Sequence, residues 1–274
     1  MGEKRALETV VLSDLHLGTF GCHAREILRY LKSIRPKTII LNGDIIDIWN
    51  FKKSYFPKAH LKVLKYLITL AQKGTKVIYI TGNHDELLRK FADSDLGHIQ
   101  LRNQVAMEFQ GKKTWIFHGD IFDASIQNAR WLAKLGGWSY DLLIWINHYM
   151  NVVLTALGRD KYSLSKVIKD SVKKAVKYVN DFEQAAAEMA ASRGYHQVIC
   201  GHIHQPQMRT LQTAHGPIDY LNSGDWIENL TALEWDGTNW SLFTYPLQDI
   251  LEDERDDKVD SSPHELMAQL LHEY

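Results

Sequence analysis

Five short segments carry residue types suited to one kind of chemistry: Asp14-Leu15-His16, Gly43-Asp44, Gly82-Asn83-His84-Asp85, His118-Gly119 and Gly201-His202-Ile203-His204. They offer carboxylates, imidazoles and an amide, with no thiolate among them. Such donors suit hard-to-borderline divalent metals, and two metals in one crevice suit phosphoryl chemistry. Asp14 and His16 stand two apart, as do His202 and His204, a spacing that turns both side chains of a strand to one side. Asp44 has two carboxylate oxygens and can bridge two cations. Asn83 offers a neutral carbonyl oxygen after Gly82. A lone Asp-x-His or a lone histidine is usually an ordinary polar residue. The recurrence of the right types beside small residues, each after an apolar run, is what carries the reading.

Those apolar runs are the elements that must position the donors. Thr9–Leu12, Thr38–Leu41 and Lys76–Ile80 read as buried strands, and helical spacing is seen over Glu26–Ile34 and Leu61–Ala71. The second helix presents Leu61, Leu64, Leu67, Ile68 and Ala71 as its apolar face, with Gly74 just past its end. Val105–Phe109 and Thr114–Phe117 read as a hairpin, and strands return over Gln197–Cys200, Ile218–Leu221, Leu230–Trp235 and Trp240–Thr244. A βαβαβ pattern followed by antiparallel strands predicts an α/β sandwich. The donors then lie at the carboxyl ends of strands.

The pattern of motifs resembles the calcineurin-like metallophosphoesterases: Asp14-x-His16, Gly43-Asp44-x-x-Asp47, Gly82-Asn83-His84-Asp85, His118-Gly119-Asp120 and Gly201-His202-x-His204. The resemblance implies an α/β fold, a metallophosphoesterase-type β-sandwich flanked by helices, with a helical cap insertion. It also implies that Asp14, His16, Asp44 and His204 hold one metal, and that Asp44, Asn83, His118 and His202 hold the other. His84 would be no ligand but a proton donor or charge stabiliser beside the scissile phosphate, its ring oriented by Asp85. Asp47 would stand behind the ligands or start a helix. Two cations about 3.5–4 Å apart lower the pKa of a shared water and neutralise phosphate oxygens. Manganese is the expected metal, with iron or zinc as alternatives.

Residues about 124–196 break the alternation with a helical pattern rich in Trp, Leu and Ile, including Trp131, Trp138, Trp145 and Leu157. Such an insertion resembles the UDP-2,3-diacylglucosamine pyrophosphatase branch. It implies an amphiphilic nucleotide-sugar lipid as substrate, UMP and the acylated sugar phosphate as products, and a cytoplasmic enzyme peripheral to the inner face of the membrane. Asp123, Ser163, Lys166 and Lys169 are the candidate substrate contacts. The best-known enzymes of that branch carry arginine where this chain has His84. A phosphodiesterase for a soluble nucleotide, a nuclease and a non-catalytic scaffold are the rival readings. The full set of motif donors argues against the scaffold.

Bulk properties fit these expectations. The 274 residues suit one domain, taken as 1–248 with the insertion, followed by an acidic tail over 249–274 with a short helix. The net charge of −1 argues against electrostatic capture of nucleic acid. Two cysteines, Cys22 and Cys200, give no disulfide framework. The stretch Trp138–Leu157 is interrupted by Asp141, Asn147, His148 and Asn151, and a spanning helix needs about 20 predominantly apolar residues. The charged N-terminus runs almost directly into the first strand, leaving no room for a signal peptide. The oligomeric state is left open.

Overall fold

The computed structural model describes residues 4–48, 56–122 and 164–246. The strands are β1 (Arg5–Leu12), β2 (Ile34–Asn42), β3 (Lys76–Ile80), β4 (Ser94–Leu96), β5 (Ile99–Arg102), β6 (Gln104–Phe109), β7 (Lys112–Phe117), β8 (Gln197–Cys200), β9 (Gln207–Thr213), β10 (Gly216–Asn222), β11 (Thr231–Trp235) and β12 (Trp240–Thr244). The helices are α1 (Ala24–Ser33), α2 (Lys58–Gln72) and α3 (Leu164–Ser192). Seven strands form one sheet in the order β12-β11-β1-β2-β3-β5-β4, and five form a second in the order β6-β7-β8-β10-β9.

Alternation along the strands builds the layers. Val10 and Leu12 of β1 face a core shared with α1 and α2, and so do Ile39 and Leu41 of β2. Val11, Ile40, Ile78 and Ile80 point the other way and meet Ile116, Ile199 and Leu221 of the second sheet. That sheet's outer face, through Trp115, Phe117, Val198 and Tyr220, packs on Phe182, Ala186, Ala187 and Ala190 of α3. The order of layers is helices, sheet, sheet, helix, the sandwich expected from the sequence. Burying each large apolar side chain contributes about 1.5–3 kcal/mol.

The central pairings β1–β2, β2–β3, β7–β8 and β8–β10 are parallel. Their carboxyl ends therefore open on the same side, and Asp14, Asp44, Asn83, His118 and His202 follow them directly.

Several boundaries differ from the sequence reading. Helix α1 ends at Ser33, and Ile34 is already extended, with φ −119° and ψ 162°. Pro36 disfavours helix at the residue before it, so β2 starts early. Pairing of β2 with β3 begins only at Thr38, so no bond on that side needs the missing Pro36 N–H. The apolar face of α2 is rotated: His60, Val63, Leu67, Leu70 and Ala71 are buried, while Leu61 and Ile68 are exposed. The hairpin turn is tighter than expected. Phe109 pairs with Lys112, leaving Gln110 and Gly111 with φ of 49° and 77°, the form that matches strand twist.

The insertion read as 124–196 is in part a layer of the sandwich. Phe182, Ala186, Ala187 and Ala190 of α3 belong to the core beneath the second sheet, whereas Val176 is exposed. The remaining cap residues at 124–163, the candidates Asp123 and Ser163, and the tail 249–274 lie outside the described residues. Lys166 and Lys169 fall on α3, but their side chains are not among those described. Among the described residues, no helix is long and apolar enough to cross a membrane.

Candidate metal centre

The sequence-predicted donors converge. Ligand atoms of Asp14, His16 and His204 lie within 4.8 Å of one another, and so do those of Asp44, His118 and His202. A third such group joins His16, Asp44 and His84. Asp44 links the clusters, with Oδ2 at 3.3 Å from His118 Nε2 and 4.0 Å from His16 Nε2. Asp14 Oδ1 lies 3.2 Å from His204 Nε2 and 4.0 Å from His16 Nε2.

Backbone conformation aims these side chains. Asp14, His16, Asp44, His202 and His204 all adopt positive φ, from 49° to 71°. Residues with a Cβ pay about 1–3 kcal/mol in this region, and it persists only where surrounding bonds enforce it. Here they do. Asp14 N–H donates to Gly43 O at 3.0 Å, His16 N–H to Asp44 O at 2.9 Å, and Trp226 N–H to Asp14 O at 3.1 Å. Two glycines permit the close approach of neighbouring loops. A Cβ on Gly82 would stand 2.1 Å from Asp44 Oδ1, and one on Gly43 would stand 2.3 Å from His118 Nδ1.

Hydrogen bonds also fix which ring atom faces the centre. His118 Nδ1 is 2.9 Å from Asn42 O, so this nitrogen carries a hydrogen and Nε2 addresses the cluster. Asn42 Nδ2 donates in turn to Phe117 O at 3.1 Å, tying β2 to β7 across the two sheets. Asp14 Oδ2 accepts from His202 N–H at 3.0 Å, and Asp44 Oδ1 accepts from His84 N–H at 2.8 Å.

What these residues leave unbonded is as informative. Asp14 Oδ1, His16 Nε2, Asn83 Oδ1 and His118 Nε2 are buried and make no hydrogen bond of good geometry. Buried polar atoms are nearly always satisfied, and a group of exceptions in one place calls for a missing partner. Carboxylate, imidazole and amide donors fit divalent cations there.

The charges are mutually stabilised. Burial by itself raises the Asp14 carboxyl, but His204 and His118 outweigh it and hold it down at about 2. Burial likewise opposes ionisation of Asp44, and His118, His16 and His84 bring it below the usual carboxylate range. Burial lowers His204, and Asp14, Asp225 and Asp44 reverse this to lift it to about 9. His118 is raised well above its ordinary value, Asp44 and Asp14 overcoming its burial.

The assignment of Asp85 changes. Its Oδ1 accepts from Gly82 N–H at 2.6 Å, and its Oδ2 accepts from Ile45 N–H at 3.0 Å and Tyr79 O–H at 2.6 Å. Asp85 thus ties the Asn83 loop to the loop after Asp44. The carboxylate at the His84 ring is that of Asp47, whose Oδ1 is 3.1 Å from His84 Nδ1. Its Oδ2 lies 3.6 Å from His16 Nδ1. Burial works against the charged ring of His84, yet Asp47 and Asp44 raise its pKa. The segment Asn222–Trp226 is a further support. Buried Asp225 accepts from Ile227 N–H at 2.8 Å and Asn229 Nδ2 at 2.5 Å, and Asn229 Nδ2 also donates to His204 O at 3.0 Å. The signal for Asp225 was present: like Asp44, it follows a glycine just past a parallel strand.

Residues 7–206 match the calcineurin-like phosphoesterase family, and the chain belongs to that family. It is a hydrolase, and the family implies divalent metal ions at the clustered donors. Among curated relatives, UDP-2,3-diacylglucosamine hydrolase of Azotobacter vinelandii is 23% identical over 88% of this chain and 100% of its own. The protein of the same description from Aliivibrio fischeri is 25% identical over 84% of this chain and 95% of its own. A solved archaeal phosphodiesterase overlays with a TM-score of 0.40 at 14% identity, over 86% of this chain and 98% of that one.

Proposed function

We propose that this chain hydrolyses a phosphoanhydride with two divalent metals, and that its substrate is UDP-2,3-diacylglucosamine, cleaved to UMP and the acylated sugar phosphate. The observation that carries the reaction is the convergence of buried, unbonded donor atoms on one spot. The substrate reading is supported by the relatives named for it, which are matched over most of both chains.

In this reading Asp14, His16, Asp44 and His204 hold one metal, and Asp44, Asn83, His118 and His202 hold the other, with Asp44 shared. The bound metals, manganese in our reading, would neutralise phosphate oxygens and make water a nucleophile near neutral pH. The protein's own residues do the rest. His118 is fixed by Asn42, so its ligand nitrogen stays aimed without cost at the moment of reaction. His84 keeps a proton through Asp47 on Nδ1, and the proton on Nε2 is the one passed to the departing oxygen. Asp85 acts at a distance by holding the Asn83 loop on the loop after Asp44. Asp123, Ser163, Lys166 and Lys169 remain our candidates for the nucleotide and sugar, in a domain taken as 1–248. The reading places the enzyme on the cytoplasmic face of the inner membrane.

His84 favours one alternative, a phosphodiesterase for a soluble nucleotide, because histidine there is the general pattern of the wider family. The test is to incubate manganese-loaded protein with UDP-2,3-diacylglucosamine and with bis-p-nitrophenyl phosphate, beside an Asn83→Ala control. UMP release that the control lacks supports the lipid substrate. Nitrophenol without UMP selects the alternative, and neither product from metal-loaded protein rejects both.

A further inference from the structure

The segments that carry the donors are poor in positive charge. Residues 13–20, 43–48, 81–92, 118–122, 201–206 and 222–229 hold many carboxylates, yet their only lysine or arginine residues are Arg89 and Lys90. The Lys90 ammonium sits 5.1 Å from the centroid of the Phe91 ring. Arg89 is placed differently. It lies on the short 3-10 helix Glu86–Phe91 that follows His84, and its Nη2 pairs with Asp120, two residues after His118. The guanidinium therefore bridges the two loops that bring His84 and His118 to the centre, one from each sheet.

Beyond its pairing with Asp120, Arg89 keeps 38% of its side chain open to solvent. A phosphoester brings anionic oxygens into a site lined by carboxylates, and a guanidinium is the side chain whose planar fork matches them.

We propose that Arg89 binds the non-bridging oxygens of the substrate phosphate, and that Asp120 positions its guanidinium between the loops that carry His84 and His118. This rests on the phosphoester-hydrolase reading, but its test does not require turnover. Inorganic phosphate is titrated calorimetrically into manganese-loaded wild type, Arg89→Gln, Arg89→Lys and Asp120→Asn, with metal content and melting temperature measured for each. Arg89→Gln is expected to weaken phosphate binding about 10–100-fold at unchanged metal content, the scale of a lost charge-assisted hydrogen bond. Arg89→Lys recovers part of this as a point charge without the fork, and Asp120→Asn loses less than Arg89→Gln. Unchanged phosphate affinity in Arg89→Gln overturns the proposal. So does a loss that follows melting temperature or metal content and is not relieved by lysine, which would make the pair a tie between loops. Wild type that binds phosphate but leaves bis-p-nitrophenyl phosphate intact refutes the hydrolytic reading while the Arg89 comparison still decides the inference.

Discussion

Strand β1 begins in one polar network and ends in another, and the two are built to opposite rules. At its start, Arg5 grips Glu234 through two bonds of 2.6 and 2.8 Å, and Tyr30 O–H donates to the same carboxylate at 2.8 Å. Each of these groups finds its partner within the network. At its end, Asp14 joins a cluster that leaves four buried polar atoms without a hydrogen bond of good geometry and five residues in left-handed backbone. A satisfied network rigidifies a fold. An unsatisfied one is a cost to the metal-free protein that only a ligand repays.

The contrast is broken most strongly at Asp44. Asp44→Ala should lower hydrolysis of bis-p-nitrophenyl phosphate by ~10³-fold, the scale of removing one electrostatic stabiliser of a transition state. It should also reduce bound metal, read by elemental analysis. If activity and metal content survive, the unbonded atoms have another cause.

At the other end of the strand the effect should appear in stability alone. Tyr30→Phe removes one hydrogen bond to a buried carboxylate and should cost about 1.5–3 kcal/mol in denaturant unfolding. Turnover below the melting transition should be unchanged. A large loss of turnover would show that the two networks are coupled.

Asp47→Asn separates positioning from ligation within the catalytic end. It should lower kcat by about 10–100-fold, the usual scale for a residue that orients a functional histidine, with metal content retained. The alkaline limb of the pH–rate profile should move to lower pH as His84, the proton donor, loses the carboxylate that raises its pKa. An equal effect of Asp85→Asn on that limb would return the orienting role to Asp85.

The smallest expected effect is a pH dependence of the metal-free protein. His204 is raised to about 9 and His118 is raised well above its ordinary value. A raised histidine contributes stability that is complete below its unfolded pKa of about 6.5 and is lost as pH climbs through the folded value. Melting temperature should therefore fall from about pH 6.5 upward in the metal-free protein. Asp14, lowered to about 2, adds stability present above about pH 4 and lost as pH drops toward 2. Metal affinity should rise with pH over the same upper window, because bound imidazoles must shed their protons. A flat melting profile above pH 6.5 would contradict the pairing of His204 with Asp14.

The same contrast explains what could be read from the sequence. The nearly unbroken apolar runs in Thr9–Leu12, Thr38–Leu41 and Lys76–Ile80 are a consequence of burial on two faces, so the sandwich and the strand ends were legible. The converging donors followed, because short parallel strands leave little freedom in where the next residue goes. The edge strand β9 was not legible, since most of Gln207–Thr213 is exposed and carries no alternation. The face of α2 was misplaced because Leu61, Leu64 and Ile68 form an apolar row beside the buried one, and periodicity alone cannot choose between adjacent rows. Asp47 and Asp85 were exchanged because contact with the His84 ring depends on loop geometry, not on distance along the chain. The neighbour in sequence turned to the backbone, and the carboxylate thirty-seven positions away met the ring.

The most direct test of the central claim is the metal stoichiometry of the purified chain. Manganese is titrated calorimetrically into metal-free protein, with Asn83→Ala and His204→Ala in parallel. The account predicts two equivalents per chain in wild type, with each variant weakening a different one. No binding, or a single equivalent insensitive to either variant, would show that the unbonded donors do not form a two-metal centre.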